Sequence, residues 1–213
     1  IMRMTAAVQR RGGQGVHAPR PGYGDYARAA AASGMALVPA DEAPLVWHAS
    51  PASPTGQCLA PPRLAPGAVG VMDMAYEPLR LEGTTASAQD YWQLWTPNKA
   101  LGLTGVRAAY AVAPPMAHES LARVLDMLMP SWPVGAHGVA MLQGWTEPCV
   151  QQWVRDCLPV LREWKLHQLL LCERHGWRCL PGDASFFCAQ PAANDLPALL
   201  AHLRSVHGIK LRD

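Results

Sequence analysis

Lys99 lies in the run Trp95-Thr96-Pro97-Asn98-Lys99-Ala100-Leu101-Gly102-Leu103-Thr104-Gly105-Val106-Arg107, and it is one of only three lysines among 18 basic side chains. An amine condenses with an aldehyde, and a neighbouring cation or an apolar pocket lowers its pKa so that it attacks near neutral pH. A phosphate monoester asks for a planar, bidentate guanidinium together with hydroxyl and backbone donors. Thr96 stands three residues before the amine and Arg107 eight residues after it, and both are of the right type. The spacing predicts a loop that holds an aldehyde cofactor with a phosphate tail.

A second run supplies what such a cofactor's ring needs. A pyridine ring is an electron sink only while its nitrogen stays protonated, which requires a carboxylate held against it. Gly67-Ala68-Val69-Gly70-Val71-Met72-Asp73-Met74-Ala75-Tyr76 reads as a buried parallel strand ending in that carboxylate. Ligands of open α/β sheets gather at the carboxyl ends of strands. Asp73 is therefore the candidate partner of a ring nitrogen, and Tyr76 the candidate donor to the ring's phenolic oxygen. Taken singly, a loop lysine is usually a solvated charge and a strand-end Asp a turn former. In this order and spacing they fit pyridoxal 5'-phosphate.

On these residues the chain resembles the class I/II pyridoxal-phosphate-dependent aminotransferases, which have the aspartate-aminotransferase fold (fold type I). It is most similar to the branch that holds histidinol-phosphate aminotransferase and threonine-phosphate decarboxylase. The resemblance implies Lys99 as the Schiff-base lysine, Asp73 as the pyridinium partner, Tyr76 at the phenolic oxygen, and Thr96 and Arg107 as phosphate ligands. Pro19-Arg20-Pro21-Gly22-Tyr23-Gly24-Asp25-Tyr26 resembles the family's Pro-x-Tyr turn, which makes Tyr23 the ring expected to stack on the cofactor. Ser50-Pro51-Ala52-Ser53-Pro54-Thr55-Gly56 resembles the Asn-Pro-x-Asn-Pro-Thr-Gly loop, with Ser53 where the family has its second Asn. The closing Gly208-Ile209-Lys210-Leu211-Arg212-Asp213 resembles a strand whose arginine, here Arg212, faces the substrate's phosphate or carboxylate. Family members are considerably longer and work as homodimers, so the resemblance also implies a chain incomplete at both ends and a second copy completing each site.

The whole chain of 213 residues is long enough to bury a sizeable core. Its net charge of +2, with acids and bases interspersed, gives no electrostatic case for nucleic acid or an anionic membrane. No apolar run reaches the ~18 residues of a membrane span, and no signal-peptide pattern opens the sequence, so the expectation is a soluble, cytoplasmic protein. The six cysteines are irregularly spaced and form no disulfide framework. Cys172-Glu173-Arg174-His175-Gly176-Trp177-Arg178-Cys179 lacks a second pair of ligands, and no metal site is expected there.

Apolar strands alternating with helical patterns predict α/β architecture with a mainly parallel sheet flanked by helices, followed by a small α+β lobe. Residues 16–19, 45–49, 106–113 and 185–189 read as strands. An Ala-rich helix over 24–33 stops at Gly34. Leu121, Val124, Leu125 and Leu128 share one helical face, and a long helix over 147–172 carries Val150, Val154, Cys157, Leu161 and Trp164 at three- and four-residue spacing, with Pro159 expected to kink it. Tryptophans on such faces are expected in the core. Asn194 or Asp195 caps a last helix that ends at Gly208. Residues 1–145 are expected to form the large cofactor-binding domain, and 146–213 the linking helix and small domain.

The functional expectation is transamination: an amino acid or a phosphorylated amine such as histidinol phosphate gives its amino group to a 2-oxo acid. Decarboxylation of the threonine-phosphate type keeps the fold and changes which bond breaks. An inactive aminotransferase-like chain is a further alternative. A plain nucleotide-binding domain lacks support, because Gly12-Gly13-Gln14-Gly15 precedes a strand and no G-x-G-x-x-G turn follows one. The Thr-x-x-Lys run has no companion Lys-Thr-Gly of the serine acyl-enzymes.

Overall fold

Leu45–Ala49 and Val69–Asp73 form the centre of the sheet, and all but the last of their residues are buried. The structure, a computed structural model, describes residues 1–87, 89–117, 119–193 and 195–210. Along the chain run α1 (Met2–Arg10), β1 (Gly15–His17), α2 (Gly24–Ala32), β2 (Ala36–Leu37), β3 (Leu45–Ala49), β4 (Val69–Asp73), a short 3-10 helix (Glu77–Leu79), β5 (Tyr91–Trp95) and β6 (Tyr110–Val112). There follow α3 (Glu119–Met127), α4 (Ala136–Trp145), α5 (Pro148–Arg174), β7 (Arg178–Cys179), β8 (Ala189–Gln190) and α6 (Leu196–His207).

The main sheet has the order β2-β1-β3-β4-β5-β6, parallel except for β6, which runs antiparallel to β5. Period-two alternation divides the central strands between two cores. Leu45, Trp47, Val69 and Val71 face α1, α2 and α3, joining Met4, Val8, Tyr26, Ala30 and Leu121. Val46, Met72 and Tyr91 face the other way, packing with Ala43, Met74, Leu64 and Trp95. Each large apolar side chain so buried contributes about 1.5–3 kcal/mol.

The second face is covered in part by irregular chain. Residues 50–68, between β3 and β4, contain no helix, because Pro51, Pro54, Pro61, Pro62 and Pro66 remove N–H donors and clash with a helical backbone. The irregular segment covers the sheet instead. Leu64 packs on it, the Tyr91 hydroxyl donates to the Pro62 carbonyl, and a ring nitrogen of His48 meets the Leu59 carbonyl at 3.0 Å. Gly70 makes this possible, since a Cβ there would stand 2.7 Å from the Tyr91 ring and 2.9 Å from Leu64.

Four expectations are corrected. Only Tyr110–Val112 of the 106–113 run pairs as a strand, so Arg107 lies in the preceding loop. Residues 185–188 form no strand: the neighbouring Asp183 and Ala184 N–H groups are spent on the Gly56 carbonyl, and only β8 pairs, with β7. The long helix does run unbroken through Pro159, with Val154 inward as expected, yet its next buried position is Lys165 rather than Trp164. Lys165 is buried because its ammonium donates to the Gly182 carbonyl. Trp153 and Trp164, each one residue before these buried positions, are 52% and 61% exposed, so the tryptophans of this helix are not core residues. The last helix matches its reading: Asp195 Oδ1 accepts from Ala198 N at 2.9 Å, and Gly208 closes it with φ +65°. No helix among the described residues is long and apolar enough to cross a membrane.

Candidate active site

Strand register places the site. Ala49 lies level with Asp73, and Asp73 with Leu94, so the carboxyl ends of β3, β4 and β5 stand side by side. All three residues line one cavity of about 710 Å³. Tyr23, Ser53, Asp73, Tyr76, Thr96, Lys99 and Arg107, the seven described residues singled out from sequence, line the same cavity. Arg212, the eighth, lies outside the described residues.

Asp73 ends β4 half-buried, with each oxygen engaged: the Tyr26 hydroxyl donates to Oδ2 at 2.7 Å and the Ala75 N–H to Oδ1 at 3.0 Å. Burial pushes its carboxyl above the usual carboxylate range, and these two hydrogen bonds oppose the shift. Tyr26 is held in turn. Its ring stacks on Trp47 with centroids 4.9 Å apart and planes 5° apart. Burial, and then the Asp73 charge, hold its phenol well above the usual range, so it stays a donor.

Lys99 sits in the turn after β5, its ammonium 5.6 Å from the Tyr76 ring centroid. Thr96 closes this loop, donating its hydroxyl proton to the Ala108 carbonyl at 2.7 Å. Its oxygen also lies 3.0 Å from the side-chain amide of buried Asn98, and since the hydroxyl proton is spent, this contact fits the amide nitrogen as donor. Tyr76 is braced from behind by Phe186, edge-on at 4.6 Å. Tyr23 stands at the start of α2, and the Asp25 carboxylate beside it is the first cause holding its phenol above the usual range. Arg107 is exposed on the cavity's rim, and the first turn of α1, from Ile1 to Arg3, lines the same space.

Sequence reasoning missed Tyr26, Asn98 and Phe186. For Tyr26 a signal existed: it follows Tyr23 by three residues, one helical turn, so both rings project from one face of α2. Nothing in the sequence ties Phe186 to Tyr76. Among the described residues no three His, Cys, Asp or Glu side chains group as metal ligands.

Histidinol-phosphate aminotransferase from Sinorhizobium meliloti, solved in complex with pyridoxal-5'-phosphate, superposes on 97% of the chain with a TM-score of 0.74 at 19% identity. The chain has the aminotransferase fold. N-Succinyldiaminopimelate aminotransferase from Mycobacterium tuberculosis matches 98% of it with a TM-score of 0.73 at 19% identity. L-Threonine-O-3-phosphate decarboxylase from Porphyromonas gingivalis matches all of it with a TM-score of 0.68 at 16% identity. The chain spans 65%, 65% and 70% of those three structures, respectively. The sequence itself matches no family model, and no curated protein matches it.

Proposed function

We propose that the chain is the cofactor-binding part of a pyridoxal-phosphate-dependent aminotransferase, with Lys99 as the lysine that bonds to the cofactor. What supports this is the gathering of Lys99, Asp73, Tyr76, Tyr23 and Arg107 around one cavity at the carboxyl ends of an aminotransferase-fold sheet. The residues fit the group. A carboxylate has about four lone-pair sites, so Asp73, with two engaged, can accept a further N–H, and the two donors it already has help keep it ionised despite burial.

Bound there, pyridoxal phosphate supplies an aldehyde carbon and a protonated ring that takes up the electron pair left when a bond at the substrate Cα breaks. Asp73 would hold a proton on the ring nitrogen. Tyr76 would donate to the ring oxygen, with Ser53 on the same wall, and Tyr23 would lie against the ring. Arg107 would hold the phosphate, while Thr96, its proton engaged by Ala108, keeps the Lys99 loop closed. Lys99 Nζ would take and return a proton at the substrate Cα.

The amino donor in this reading is an amino acid or a phosphorylated amine of the histidinol-phosphate kind, and the acceptor a 2-oxo acid. Arg212 would read the donor's phosphate or carboxylate, residues beyond Trp145 would begin the small domain, and a second copy of the chain would complete the site. Decarboxylation is the second reading, favoured by the match of the whole chain to a decarboxylase. Assaying carbon dioxide against keto product separates the two. The cofactor assignment is tested by borohydride reduction of the protein loaded with pyridoxal phosphate, followed by peptide mapping. The added mass is expected on Lys99. Label on Lys165 or Lys210, or no label, would overturn the assignment.

Tyr26→Phe tests the electrostatics. The hydroxyl favours the ionised form of Asp73, so its removal raises an already raised carboxyl pKa further. The acid limb of the activity profile should therefore move to higher pH, and the folded state should lose about 1.5–3 kcal/mol near neutral pH for a hydrogen bond to a charged group. An acid limb that stays in place would show that Tyr26 does not tune Asp73.

A further inference from the structure

Arg80 lies outside the cavity and joins two segments that line it to the segment that packs behind Tyr76. Its side chain is 8% exposed, and its guanidinium grips Glu77 through Nε, at 3.0 Å from both carboxylate oxygens, and through Nη2 at 2.6 Å. The same group donates to Ser50 Oγ at 3.0 Å, to Asp183 Oδ2 at 3.3 Å and to the Cys58 sulfur. Two of these partners are next to cavity-lining residues in sequence, and the third is near the ring that backs one of them. Glu77 follows Tyr76, Ser50 lies between Ala49 and Pro51, and Asp183 precedes by three residues the Phe186 ring that braces Tyr76.

The backbones around this cation meet as closely as glycine allows. Gly56 has φ +74°, and a Cβ on it would stand 2.6 Å from the Phe186 carbonyl oxygen; one on Gly182 would stand 2.7 Å from the Gly56 carbonyl. The Gly56 carbonyl accepts from Asp183 N at 2.8 Å and Ala184 N at 3.2 Å, and Leu81 N donates to the Asp183 carbonyl at 2.7 Å. Two carboxylates, Glu77 and Asp183, thus share one buried cation. Without it the two have no cation between them, Glu77 at 11% exposure and Asp183 at 30%, and the like charges repel. The cheapest relief is for the Tyr76 turn and the 183–186 segment to separate, which takes Phe186 away from Tyr76.

We propose that Arg80 is a positioning residue for Tyr76: it locks the turn that carries Tyr76 to the segment that carries Phe186, and so fixes the Tyr76 hydroxyl within the cavity. Its effect on the cofactor rests on the function proposed above. Its effect on the two segments does not.

The test combines a double-mutant cycle with hydrogen exchange. Arg80→Gln should weaken pyridoxal-phosphate binding about tenfold when Tyr76 is present and less than about twofold on top of Tyr76→Phe, since residues acting through one another are not additive. Arg80→Lys, which keeps the charge without the fork, should fall between wild type and Arg80→Gln, and carries the same cycle if Arg80→Gln fails to fold. Equal losses with and without Tyr76 would overturn the proposal, because they would mark Arg80 as a support of the fold at large. In the cofactor-free protein, either Arg80 variant should speed amide exchange at residues 76–81 and 182–187 while leaving β3 and β4 protected. Unchanged exchange at 182–187 would overturn it as well, whether or not the wild-type protein binds pyridoxal phosphate. Failure of the wild type to bind the cofactor would sink the proposed function alone.

Discussion

Asp73→Asn should leave cofactor binding largely intact and cut turnover by roughly 3–5 kcal/mol, at 1.36 kcal/mol per tenfold. The amide has the carboxylate's shape, so it keeps its place level with Ala49 and Leu94, and its oxygen can still accept from Tyr26 or Ala75. It has no negative charge to hold a proton on the ring nitrogen. Shape supports binding and charge supports chemistry, and the substitution separates them. Equal turnover of the two proteins would show that Asp73 is only a structural turn residue. The same change has a signature without cofactor. Burial raises the folded-state pKa of Asp73 above its unfolded value, so its contribution to stability is fully present below about pH 4 and is lost as pH rises through the raised folded pKa. An amide cannot ionise. Thermal unfolding of Asp73→Asn should therefore fall less than wild type over that rise, and the two proteins should converge in acid.

The centre of the sheet and the residues on its carboxyl edge were legible because local rules governed them. Residues 45–49 and 69–73 are short, apolar and bounded by turn formers, and the structure keeps both as parallel strands. The seven described residues picked out by spacing or by the family resemblance meet at one cavity because they end or follow β1, β3, β4 and β5, whose carboxyl ends share an edge. What escaped was set by contacts between distant parts of the chain. Glu77 and Arg80 read as an ordinary i,i+3 surface pair until Asp183, 103 residues on, joins them. Trp164 and Lys165 exchanged roles because the Gly182 carbonyl stands opposite the lysine, and periodicity cannot see an acceptor. That 50–68 forms no helix agrees with the reading of 50–56 as a Pro-rich loop, since five prolines across the segment forbid one.

Lys99→Ala should abolish covalent capture of the cofactor and lower turnover by on the order of 10²–10⁴ from lost proton transfer alone. The other described lysines lie elsewhere: Lys165 is buried against the Gly182 carbonyl, and Lys210 follows the end of α6. A small primary amine added to the variant should restore part of the rate, because the truncated side chain leaves room beside Tyr76 and Asn98 on the cavity wall. Rescue should rise linearly with the concentration of neutral amine, and so with pH, since only the unprotonated form accepts the Cα proton. It should remain small, because an amine held on the chain acts at an effective concentration of about 10⁵ M or more. Lys99→Arg should gain nothing over Lys99→Ala, as a guanidinium stays protonated throughout the accessible range. The phosphate contact proposed for Arg107 is untouched in both variants, so cofactor should still bind reversibly and be removable by dialysis. A Lys99→Ala protein that keeps wild-type turnover, or one still labelled by borohydride at another lysine, would remove Lys99 from the chemistry.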